Sequence, residues 1–164
     1  MVDAEAEFTA FFRAEYAKVV RTVTVVVGDR AVAEEIAQDA FIQLLDHWAK
    51  VCRYERPDAW VRRVAIRMAS RAGRRDRLRR VLEIVSAPDE VVREPVEVDS
   101  AVYAAVRRLP LGQRTAVVLY YLEDRPVAEV ADLMACSAST ARVHLHKARR
   151  RLAELLDGSV DDVL

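Results

Sequence analysis

The sequence predicts an all-α protein built as two small helical domains joined by an acidic linker. Three observations point there. Apolar residues recur at helical spacing along most of the 164 residues, no pair of alternating strands with a hairpin turn can be read, and a stretch holding Pro88 and Pro95 among acids and valines interrupts the pattern near the middle. The implied boundaries are a first domain over residues 4–80, a linker over 81–99, a second domain over 100–156 and a tail over 157–164.

The first helix is expected over residues 4–26, with Phe8, Phe11, Phe12, Ala17, Val19, Val20 and Val23 on its apolar positions and Gly28 suited to end it. Residues 22–27 are β-branched throughout, a composition that disfavours helix. Asp29 is placed to cap a second helix, residues 30–49, in which Ala33, Ile36, Ala37, Ala40, Phe41, Leu44, Leu45 and Trp48 recur with helical period. Pro57 and Asp58 open a third, to about residue 80, with an apolar stripe of Val61, Val64, Ala65, Met68, Ala69 and Ala72. In the second domain helices are expected over residues 100–108, 112–122, 126–134 and 137–156, with a break at Leu109-Pro110 and a turn at Glu123-Asp124. Only Ala135 and Cys136 separate the last two, the spacing of a helix-turn-helix, and Ser137 is the natural N-cap of the second.

Composition narrows the function. With 52% hydrophobic and 32% charged residues the chain reads as globular, and no apolar run approaches the roughly 20 residues of a membrane span. Acidic residues, not a basic and apolar leader, open the sequence, so a cytoplasmic protein is expected. Cys52 and Cys136 lack the spacing of a zinc site or disulfide framework. The three histidines, His47, His144 and His146, converge with no acid, nucleophile or phosphate loop, so neither an enzyme nor a cofactor or metal is expected.

Net charge is zero, yet charge is strongly segregated. Residues 53–80 carry eleven Arg against three acids, and residues 81–99 one Arg against six acids. On the third helix Arg63, Arg67, Arg71 and Arg74 fall along one face, an arrangement that is unfavourable without an anion to neutralise it. A solvated basic face is the bland alternative. The segment WAKVCRYERPDAW, residues 48–60, mixes cations with Trp48, Tyr54 and Trp60, a composition suited to unstacked bases. Trp48 and Trp60 fall on apolar helix faces and read as core, which leaves Lys50, Tyr54 and Arg56 as candidates. On the last helix Ala141, Leu145, Ala148, Leu152 and Leu155 form the buried seam, so Ser139, Arg142, Val143, His146, Arg149 and Arg150 face outward. Arg142, Val143 and His146 suit base edges in a major groove, while Lys147 and residues 149–151 suit phosphates. His144 and His146, two apart on a helix, point in different directions and do not share a metal.

The run LPLGQRTAVVLYYLEDRPVAEVADLMACSASTARVHLHKARRRL, residues 109–152, resembles region 4 of the extracytoplasmic-function (group IV) sigma factors of the sigma-70 family, matching their pattern at Thr140, Arg142, Leu145, Lys147, Ala148 and Arg149. Ala141, Val143 and His144 depart from the residues usual there, which bears on the promoter read. AEEIAQDAFIQLLDHW, residues 33–48, followed by PDAWVRRVAIRMASRAGRR, residues 57–75, resembles region 2, and the HWAK and RPDAWVRR segments are similar to an actinobacterial, SigE-like subgroup.

The resemblance implies a factor that binds core RNA polymerase at its beta-prime clamp and beta flap, recognises minus-35 and minus-10 promoter elements and promotes DNA melting. It places Glu35, Gln38 and Asp39 on the clamp; by their residue types alone these read as a solvated face. It assigns the loop of Lys50, Tyr54 and Arg56 to a flipped base of the minus-10 element, beside which the basic face of Arg63, Arg67, Arg71 and Arg74 is expected to bind the same DNA; Arg67 and Arg71 stand where the family often has Asn and Asp, which makes this helix more basic than usual. Ser139, Arg142, Val143, His146, Lys147, Arg149 and Arg150 fall to the minus-35 element. An anti-sigma factor is a further implied partner, with Val23 and Val91 as apolar positions it would touch if they are not core. A stand-alone dimeric regulator remains the alternative, although it leaves the arginines of residues 53–80 without a role.

Overall fold

The computed structural model describes residues 2–82 and 100–161; the acidic stretch of the linker, with Val91, lies outside them. The chain divides into two compact units, Met1–Glu94 and Pro95–Leu164. Every regular element among the described residues is helical.

The first unit holds α1 (Val2–Val27), α2 (Arg30–Val51) and α3 (Pro57–Leu82), each packed on the other two. Residues 22–27 are helical despite their β-branching, and the reason is tertiary. Thr22, Val23, Thr24, Val25 and Val26 are all buried, and burial of that face outweighs a propensity cost of a few tenths of a kcal/mol per residue. The two threonines satisfy their hydroxyls inside the core by donating to the carbonyls one turn back, Thr22 to Lys18 at 3.0 Å and Thr24 to Val20 at 2.7 Å. Val23 is therefore core, not a contact surface. Gly28 ends α1 at φ 78°, a left-handed conformation that glycine adopts without Cβ strain. Asp29 then caps α2 by accepting from the Val32 amide at 3.1 Å.

Alanines make close approach possible at the centre of this unit. Ala33, Ala37, Ala40 and Ala69 are fully buried beside Leu44 and Val61. At the N-terminal end of α1 the space is filled by rings: Phe8 and Phe11 pack on Trp48, and Phe11, Phe12 and Tyr16 on Phe41. Two expectations need correction. Leu45 keeps the helical period but is 55% exposed, because the α2 face towards α1 and α3 is centred on Ala37, Ala40 and Leu44. On α3 the buried face is rotated from the expected stripe: Ile66 and Arg62 are buried, whereas Val64, Met68 and Ala72 are half-buried. Trp60 is likewise half-buried, its ring 5.6 Å from that of His47.

The second unit holds α4 (Ser100–Arg107), α5 (Leu111–Val117), a π-helical turn (Val118–Leu122), α6 (Val127–Leu133) and α7 (Ala138–Asp161). Leu109, Ala116, Leu119, Val130, Leu133, Ala141, Leu145 and Ala148 form its core. The helix expected over residues 112–122 is thus two pieces. From Val118 onward the backbone widens, with the Glu123 amide donating to Val118 O at 3.1 Å and the Arg125 amide to Leu119 O at 3.0 Å.

The turn between α6 and α7 is tight. Ala135 takes a left-handed conformation, φ 54°, and the Cys136 amide returns to Ala131 O at 2.9 Å. Ser137 caps α7 as expected, its hydroxyl accepting from the Thr140 amide at 3.1 Å. No helix among the described residues is long and apolar enough to cross a membrane.

Candidate nucleic-acid and polymerase interfaces

α7 presents its predicted face as the seam requires. Ala141, Leu145 and Ala148 are buried, and Ser139, Arg142, Val143, His146, Lys147, Arg149 and Arg150 are exposed. Arg142, Lys147, Arg150 and Arg151 have no side-chain partner among the described residues. A helix displaying four unengaged cations retains their full capacity for an external anion. His144 turns away from this face towards α5: a Cβ built on Gly112 would lie 2.8 Å from its imidazole, so glycine is what lets the ring sit there. His144 and His146 accordingly share no site, and the described residues contain no metal-binding cluster.

Arg149 differs from its neighbours. Its Nε donates to the Tyr121 hydroxyl at 2.7 Å, and its guanidinium carbon lies 5.7 Å from the ring centroids of both Tyr120 and Tyr121. The hydrogen bond to Tyr121 holds the guanidinium more firmly protonated than usual. Nothing in the periodicity of the sequence marks these tyrosines, because their placement depends on the π-helical turn. Cys136, beside the turn, is a free thiol that burial pushes above its ordinary pKa.

In the first unit the arginines split into two populations. Arg62 is 4% exposed and structural, donating to Glu15 on α1 at 2.8 Å and to Asp58 at 3.0 Å. Asp58 also accepts a two-pronged contact from Arg56, at 3.1 and 3.0 Å, which orients this loop cation. Arg67 and Arg71 are exposed and have no side-chain partner among the described residues; Arg74 is exposed and donates only to Ser70 O of its own helix. Arg63 is half-buried. Lys50 and Tyr54 are exposed at the C-terminal end of α2 and the loop after it, Tyr54 by 42%.

Glu35, Gln38 and Asp39 are all exposed on α2. Sequence reasoning missed what adjoins them: Ile42 is 59% exposed, and with Leu45, Gln38, Phe8, Phe12 and Phe41 it lines an apolar groove between α1 and α2. The signal was partial: Ile42 stands outside the apolar period of α2, whereas Leu45 keeps that period and gave no sign of its exposure.

Comparison with known proteins decides the family. Residues 11–79 match the model of sigma-70 region 2 and residues 99–152 that of sigma-70 region 4, in that order along one chain. The RNA polymerase sigma-E factor of Streptomyces antibioticus is 30% identical over 154 residues, covering 92% of this chain and 85% of that protein. The chain belongs to the sigma-70 family. Its relatives in that family include the extracytoplasmic-function sigma factor SigM of Mycobacterium tuberculosis, 29% identical over 156 residues, covering 91% of this sigma factor and 76% of that one. A solved structure of the sigma factor RpoE in complex with the anti-sigma factor NepR, from Bartonella quintana, shares the fold of this sigma factor with a TM-score of 0.70 at 23% identity, covering 92% of the one chain and 97% of the other.

Proposed function

We propose that this sigma factor, which binds core RNA polymerase and recognises minus-35 and minus-10 promoter elements to initiate transcription, divides those tasks between its two helical units. In the second unit, α7 enters the major groove of the minus-35 element, with Arg142, Val143 and His146 at base edges and Ser139, Lys147, Arg149 and Arg150 around them on the backbone. In the first, α3 lays Arg63, Arg67, Arg71 and Arg74 along the minus-10 DNA, while Lys50, Tyr54 and Arg56 hold a base that has left the stack as the duplex melts. Glu35, Gln38 and Asp39 dock on the polymerase clamp, beside the apolar groove of Ile42 and Leu45. An anti-sigma factor would silence the protein by covering that same surface. The role is that of a non-catalytic specificity factor acting with polymerase in the cytoplasm.

The observation that carries this reading is the concentration of exposed cations without a side-chain partner among the described residues on two helices, Arg67 and Arg71 on α3 and Arg142, Lys147, Arg150 and Arg151 on α7, in a chain of zero net charge. Such faces are built for polyanions. The test is transcription by purified core polymerase on a library of genomic fragments, with and without the protein. Starts sharing two upstream elements support the assignment. Absence of new starts, together with sequence-specific DNA binding by the protein alone, overturns it in favour of a dimeric regulator.

A further inference from the structure

The π-helical turn Val118–Leu122 sets two consecutive tyrosines against one arginine of α7. Tyr120 and Tyr121 meet edge to face, centroids 4.9 Å apart at 79°, and the Arg149 guanidinium sits equidistant from both rings. A regular α-helix separates consecutive side chains by about 100° around its axis; the longer turn of a π-helix reduces that angle and lets neighbours face the same group. The contact is not a means of hiding the charge. Tyr121 is 57% exposed, Arg149 is exposed, and no carboxylate pairs with Arg149 among the described residues.

The hydrogen-bond inventory shows what is left over. The Tyr121 oxygen accepts from Nε, so its own proton remains to be donated. Both Nη groups of Arg149 remain as well. Three donor groups on two side chains already in contact match a tetrahedral anion, and the hydrogen bond to Tyr121 meets part of the usual cost of fixing a long arginine in the free protein.

We propose that Tyr121 and Arg149 form a preassembled clamp for one backbone phosphodiester of promoter DNA, Tyr121 both donating its hydroxyl proton to the phosphate and orienting the guanidinium. This rests on α7 being the duplex-binding helix and extends the DNA footprint onto the π-helical turn. The clamp contributes affinity and register and is blind to sequence.

The experiment measures equilibrium binding of holoenzyme, reconstituted from core polymerase and the full chain, to a promoter fragment recovered from the library above, as a function of salt. Tyr121→Phe, which keeps the ring and loses the hydroxyl, should weaken binding about tenfold, by the same factor on different promoters. Arg149→Ala should weaken it at least as much and lower the salt slope by about one. In the Arg149→Ala background Tyr121→Phe should cost clearly less but not nothing, since only the hydroxyl's own bond to the phosphate is then lost; a merely orienting tyrosine would cost nothing there, and an independent one the full tenfold. Replacing single phosphates by neutral methylphosphonates should identify one backbone position whose loss matters less in each variant than in the wild type and not at all in the double variant.

Unchanged binding in Tyr121→Phe, or equal losses in both backgrounds, overturns the clamp. Saturation of the Arg149 Nε–H resonance by inorganic phosphate in the millimolar range, with no position-specific methylphosphonate effect, makes it a general phosphate site and overturns the DNA assignment. If Arg142→Ala and Lys147→Ala also leave binding unchanged, the reading of α7 itself has failed, which separates the two outcomes.

Discussion

Arg62 and Arg67 lie on the same helix and have opposite roles. Arg62 is buried between Glu15 and Asp58, so truncating it breaks both ion pairs and empties a buried site, although Lys18 and Arg56 still pair with the two part-exposed carboxylates, and Arg62→Ala should destabilise the first unit by about 2 kcal/mol in denaturant unfolding. Arg67 is exposed without a partner among the described residues, so Arg67→Ala should leave stability within about 0.5 kcal/mol and weaken DNA binding instead. Half of this contrast was legible in the sequence: Asp58 and Arg62 are one turn apart, and Arg62 adjoins Val61 in the buried stripe. Glu15, 47 residues away, was not, because a partner on another helix is a product of packing. On α7 the outward residues followed directly from the seam, and Arg142 carries the sharpest consequence. Arg142→Ala should cost about 1–3 kcal/mol at one base pair of the minus-35 element and little elsewhere, read from transcription on a set of single-position promoter variants. An equal loss on every promoter would make it a phosphate contact.

Helices were legible wherever period and caps agreed. Asp29 and Ser137 both cap as their types require, and Gly28 ends α1. Where the sequence misled, tertiary burial had outweighed local preference, as in the β-branched end of α1, or a non-standard geometry had intervened, as in the π-helical turn, which has no compositional mark. On the proposed reading the exposed cations of α3 act as a row. Substituting Arg67 and Arg71 together by Ala should therefore lower the slope of log affinity against log salt by about two, the expectation for two lost phosphate contacts, while leaving far-ultraviolet circular dichroism unchanged. An unchanged slope would assign the row to solvent.

Two compact units, each with its own core, imply two separate and individually weak footprints on DNA. Polymerase supplies the effective concentration that joins them, so the chain alone should bind a promoter far more weakly than the holoenzyme does. Inserting about half a helical turn, 5 bp, between the two promoter elements should abolish initiation even though both elements are intact. Retained initiation would mean that one unit suffices. The segregation of charge that makes these footprints has a colloidal consequence too. A molecule with zero net charge lacks the mutual repulsion that keeps proteins dispersed, and here the sequence segregates eleven Arg in residues 53–80 from six acids in residues 81–99, charges of opposite sign through which copies attract one another. Solutions should turn cloudy in dilute buffer and clear as ionic strength approaches about 0.3 M, where the Debye length falls to several ångströms, so the protein is one that salts in before it salts out.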